Sequence, residues 1–125
     1  MKSREDIQAY LIRSGLPYQE VDAETWLVRV ESGVEAVVVH IHDPVVIVRA
    51  DVGPVPAKDR ETFFADLLRR NAAELVHCSY GISDDKIVLS GAMPLENLDY
   101  NEFISTLDDM AIALDRTAGD AAPKA

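Results

Sequence analysis

The chain has a single cysteine, Cys78, so no internal disulfide can staple it, and one lone thiol fits a reducing compartment. Basic residues are scarce. Twelve Lys and Arg stand against 22 Asp and Glu, giving a formal charge of -10, which opposes nucleic-acid binding because affinity for phosphate comes mostly from cations displacing counterions. The same charge repels anionic lipid and suits a partner of basic or mixed character. No apolar run approaches the length of a membrane span, and no apolar segment follows the polar stretch Met1 to Asp6 as a signal peptide requires. P-loop, dinucleotide and Ser-His-Asp signatures are also missing. These absences predict a cytoplasmic protein that is not an enzyme, needs no cofactor, and contacts neither nucleic acid nor membrane.

The apolar content, 48% of 125 residues, is enough to bury a core, and the length predicts one domain over residues 1–117 with a flexible tail over 118–125. A first helix starts at Ser3, with Glu5 and Asp6 at the positive end of its dipole, and ends at Gly15. A polar connector, Gln19 to Glu24, follows. Three strands are read at Thr25 to Glu31, Glu35 to His42 and Val45 to Val52, with turns at Ser32-Gly33 and Asp43-Pro44 and a stop at Gly53-Pro54-Val55-Pro56. From Lys58 to Leu75 the period lengthens to that of a helix, with Phe64, Leu67, Leu68, Asn71 and Leu75 on one side. Val76 to Ile82 and Lys86 to Met93 form a hairpin. A last helix, Asn101 to Thr117, is capped by Asp99 and buries Phe103, Leu107, Met110 and Leu114. The fold class is therefore α+β: a five-stranded antiparallel sheet in the order α-β-β-β-α-β-β-α, with helices packed mainly on one face.

Strand alternation separates the two faces of that sheet. Trp26, Val28, Val30, Val37, Val39, Ile41, Val46, Val48, Val52, Val76, Tyr80, Ile82, Ile87, Leu89 and Met93 form an apolar face for the helices. The other face mixes Leu27, Val38, Val45, Ile47 and Val88 with Arg29, Glu31, Arg49, Asp51, Ser79, Ser90, His40, His42 and His77. It is too apolar for a solvated surface and too charged for a second core, and it reads as an interaction face.

These residues allow three chemistries. His40, His42 and His77 could ligate zinc or copper if they converge, but no Cys or carboxylate completes the set at a recognisable spacing, and the competing reading is a solvated histidine cluster. Cys78 has only His77 beside it as a base, and that side chain points to the other face of a regular strand, so a buried structural thiol is read. Asp84-Asp85, Asp99 and Asp108-Asp109 lack the glycine-punctuated calcium loop and read as turn, cap and solvated helix residues.

The second half carries a resemblance. Asn71, the hairpin, and the run Lys86 to Asp99, in which an apolar strand ends at Met93-Pro94-Leu95 before an acidic helix, resemble the YbjN family. The order of segments also resembles the CesT-like chaperones of type III secretion. The resemblance implies an α+β domain, often dimeric, that binds peptide as a chaperone or regulator, and it supplies no catalytic residue. Two function classes remain open. One is a module that holds a protein or peptide client on Leu27, Arg29, Val38, Val45, Ile47, Arg49 and Val88, at a strand edge, or in a groove at a homodimer boundary. The other is a regulator responsive to a small ligand or metal through the three histidines.

Overall fold

A computed structural model describes residues 3–30 and 36–121 of the chain. The elements in order are α1 (Arg4–Ser14), β1 (Tyr18–Asp22), β2 (Thr25–Arg29), β3 (Ala36–His42), β4 (Val45–Pro54), α2 (Arg60–Ala73), β5 (Ser79–Ser83), β6 (Lys86–Pro94) and α3 (Tyr100–Ala121). They build one antiparallel sheet in the order β1-β2-β3-β4-β6-β5. The sheet thus has six strands rather than five. The additional one is β1, formed by the residues read from sequence as a polar connector. Four of its five side chains are exposed, as befits an edge, so no apolar alternation marks it. Its turn into β2 is closed by Asp22, whose carboxylate accepts the Glu24 N–H at 2.9 Å.

Local chemistry sets the other boundaries. Ser3 precedes α1, its N–H and hydroxyl both donating to Asp6 Oδ2, and Gly15 ends the helix at φ 75°, a left-handed conformation that glycine adopts without a Cβ penalty. Asp99 caps α3 by accepting the Glu102 N–H at 2.7 Å. That helix runs on to Ala121, past the Thr117 read from sequence. The turn read at Ser32-Gly33, the strand ends at Glu31 and Glu35, and residues 122–125 lie outside the described residues.

The core sits between the sheet and the helices. Trp26, Val28, Val37, Val39, Val46, Val48, Ile87 and Leu89 meet Ile7 and Leu11 of α1, Leu67 of α2, and Phe103, Leu107 and Met110 of α3. Each large side chain so buried contributes roughly 1.5–3 kcal/mol. Tyr10 ties α1 to the segment before α3, its hydroxyl donating to the Leu98 carbonyl at 2.8 Å. Three residues assigned to the core from sequence are instead on the surface: Leu68, Val76 and Ile82 are 66%, 79% and 56% exposed. Val76 is exposed because β5 begins only at Ser79. Between β4 and β6 runs the longest ladder, from Val45 opposite Pro94 to Pro54 opposite Lys86, and it joins the meander to the C-terminal hairpin. Among the described residues no helix is long and apolar enough to cross a membrane.

Candidate functional site

With the helices stacked against Trp26, Val39 and Val48, the alternate residues of β2, β3 and β4 occupy the opposite, unroofed face. Cross-strand register places them in rows. Leu27 lies opposite Val38, and Val38 opposite Arg49; Thr25 lies opposite His40, and His40 opposite Ile47; His42 lies opposite Val45; Arg29 lies opposite Ala36. Leu27, Val38, Val45 and Ile47 are half-buried, whereas Arg29 and Arg49 are exposed. A shallow depression of about 370 Å³ is lined by Ala36, Val38, His40, Ile47, Arg49 and Asp51. Six of the seven residues read as a binding set therefore share one accessible surface. The seventh, Val88, faces the same way opposite Asp51 and Gly81 but is only 5% exposed, so it supports the surface without offering area to a partner.

The histidines divide. His40 and His42 stack along β3 with ring centroids 6.2 Å apart, and His40 Nδ1 shares a hydrogen bond of 2.8 Å with the Thr25 hydroxyl. His77 does not join them. It precedes β5, and its carbonyl lies where a Cβ on Gly91 would sit, 2.6 Å away. Gly91 pairs with Val48, a core residue, so the His77 backbone passes on the helix side of the sheet, opposite the face carrying His40 and His42. Strand alternation does not extend to His77, because β5 begins at Ser79, three residues after the Val76 expected from sequence. Among the described residues no group of three His, Cys, Asp or Glu could hold a metal ion.

Two polar residues have roles that the sequence reading missed. Asp109 on α3 accepts the N–H groups of Val76 and His77 at 3.2 and 2.9 Å and the Cys78 thiol at 3.3 Å, all on Oδ2. It clamps the connection into β5 and is not merely solvated. Burial, and then the Asp109 hydrogen bond and charge, push the Cys78 thiol up to about 12, which leaves it protonated and unreactive as a nucleophile. Asn71 on α2 uses its side-chain amide as a strand would: Oδ1 accepts the Tyr80 N–H at 2.8 Å and Nδ2 donates to the Tyr80 carbonyl at 3.3 Å. That covers the outer edge of β5. The sequence signal was a polar residue on an otherwise apolar helix stripe.

The family model CesT_Tir_1 matches residues 1–121. The chain belongs to the CesT_Tir_1 family. Among solved structures, a chain of the heterodimeric ExoU–SpcU complex from the type III secretion system of Pseudomonas aeruginosa superposes with a TM-score of 0.74 at 17% identity, covering 90% of this chain and 95% of that one. YbjN, a putative transcription regulator from E. coli, gives 0.70 at 14% identity, covering 94% and 92%. A chain of the complex of the Yersinia pestis type III secretion chaperone SycH with a stable fragment of YscM2 gives 0.64 at 16% identity, covering 89% and 98%. At these identities the likeness shows a shared fold. No curated protein matches the chain in sequence. This CesT_Tir_1 protein thus has the α+β fold common to YbjN and the type III secretion chaperones, as the segment order implied.

Proposed function

We propose that the protein is a non-enzymatic, chaperone-like module of the cytosol, one domain over residues 1–117, that holds a segment of another protein against the open face of its sheet. The observation that carries this reading is the unroofed face itself, where Leu27, Val38, Val45 and Ile47 stand half-buried in successive rows, with exposed Arg29 beside Leu27 and exposed Arg49 opposite Val38. Four half-buried aliphatic side chains gathered on one face are more apolar surface than a solvated sheet face needs. A shallow, open depression also suits a chain draped across it better than an enclosed small molecule. Support comes from relatives of the same fold: SycH is complexed with a piece of YscM2, and ExoU–SpcU is a heterodimer. Apolar anchors supply most of the affinity of such contacts, while rim charges set orientation and salt sensitivity.

The test is a peptide array probed with wild type and with the Val45→Asp, Ile47→Asp double variant. Captured peptides should be lost at least about tenfold in signal while the far-UV spectrum is kept, because the Asp pair keeps contact with water in the half-buried free face and is fully desolvated only under a partner. Arg29→Ala should chiefly flatten the salt dependence. An unchanged pattern of captured peptides in a folded double variant refutes the assignment of this face. The reading includes a homodimer formed elsewhere, where α2 meets β5 and Leu68, Val76 and Ile82 are exposed. A monomer mass by light scattering at tens of micromolar refutes that part.

A further inference from the structure

Charge is distributed unevenly over this molecule. The chain as a whole is strongly acidic, at -10, yet the open face carries Arg29, Arg49 and Lys86, with His40 and His42 among them. Among the described residues two carboxylates share the face, and both have a partner: Asp22 accepts the Glu24 N–H, and Asp51 stands 4.0 Å from Lys86. Arg29 and Arg49 form no ion pair among the described residues. They are separated by two strand spacings and one step of two residues, which puts their Cα atoms about 12 Å apart. Between them lie Val38 and Ala36, and beside them Leu27 and Ile47.

We infer that the segment held on this face is acidic and apolar, an extended stretch of polypeptide whose carboxylates, four positions apart on one side, meet Arg49 and Arg29 while an aliphatic residue between them seats on Val38. The inference rests on the function proposed above and adds the chemistry of the partner. Four residues of extended chain span about 13 Å, which matches the spacing of the two Arg Cα positions. Each Arg fork donates two parallel hydrogen bonds to a carboxylate, and the aliphatic surroundings exclude the water that otherwise screens the pair. A second copy of this chain packed face to face is disfavoured, since among the described residues each copy brings three cations to the face and only two carboxylates, both with partners already. A nucleic acid is disfavoured too, because the rows between the arginines are aliphatic and carry no aromatic ring on which bases could stack.

Fluorescence anisotropy with two blocked nine-residue peptides tests this. Both have valine at the odd positions and threonine at the even ones, except that the third and seventh are glutamate in one and lysine in the other. Wild type should bind the glutamate peptide about tenfold or more tighter than the lysine peptide, and the R29E/R49E variant should reverse the order. Equal affinity for both peptides, lost in the Val45→Asp, Ile47→Asp variant, overturns the acidic preference and leaves the face as the binding site. A glutamate preference that survives both double variants overturns both readings, as does the absence of binding at millimolar peptide. Oligothymidylate bound as tightly as the glutamate peptide shows a general anion surface and overturns the assignment to polypeptide.

Discussion

Replacing Asp109 by Ala removes one carboxylate oxygen that three donors share. A hydrogen bond to a charged acceptor is worth about 1.5–3 kcal/mol when buried, but Val76 and His77 are exposed, so their freed amides regain water and the thiol donates weakly. The net loss should be about 1–2 kcal/mol, which for a chain of this length lowers Tm by about 4–8 °C. Asp109→Asn keeps an acceptor and loses the charge, so roughly half that cost is expected. Cys78 gives an independent readout. With its pKa pushed from 9.0 to about 12 by burial first and Asp109 second, the native thiol should react with iodoacetamide at pH 8 about a thousandfold more slowly than the same thiol in urea. Asp109→Asn should speed native alkylation while leaving it slower than in urea, because burial persists. The folded protein keeps a proton on Cys78 that the unfolded chain loses above pH 9, so this contribution is complete below pH 9 and stability falls as pH rises from there toward 12. Cys78→Ser should reduce that decline. Equal alkylation rates in wild type and Asp109→Asn, with an unchanged urea midpoint, refute the clamp.

Asn71→Ala should cost about 1–3 kcal/mol and speed amide exchange at Tyr80, whose N–H and carbonyl lose their partners on the outer edge of β5; native-like exchange there counts against the edge role. Gly91→Ala should destabilise by about 1–3 kcal/mol in urea denaturation, since the new Cβ would lie 2.6 Å from the His77 carbonyl oxygen, a backbone atom held by its neighbours; a variant as stable as wild type refutes the close approach.

The helices and the inner strands were legible because their periods are enforced by burial. Ile7 and Leu11, the β2 to β4 alternation, and Phe103, Leu107 and Met110 of α3 all repeat at the spacing of the face they bury. The open face was legible for the same reason, as the complement of the buried one. β1 escaped because an edge strand owes its pairing to backbone hydrogen bonds, and Gln19, Glu20 and Asp22 reveal nothing of that. Leu68 misled because the stripe of α2 is narrower than its leucines suggest, with Leu67 buried and its neighbour facing outward. His77 misled because alternation holds only inside a strand, and three residues before β5 the backbone follows Asp109 and Gly91 instead. Pairwise polar contacts across 33 positions, such as Asp109 with Val76, have no local signature at all.

The long ladder between β4 and β6 also has a bearing on how the chain reaches this structure. β1 with β2, and β3 with β4, are joined by two-residue turns and can zip locally, and so can the β5–β6 hairpin, on the microsecond scale of isolated hairpins. The ladder pairs residues about 30 to 50 positions apart, and its loop-closure entropy must be met before its contacts help. Assembly of the two halves along this seam is then the slow event, and until it closes both β4 and β6 present unpaired inner edges. The nascent protein is at that stage itself a candidate for the kind of strand capture it is proposed to perform. A single-exponential refolding phase slowed by substitutions at Val48 or Leu89, and insensitive to changes at Leu27, would locate the barrier there.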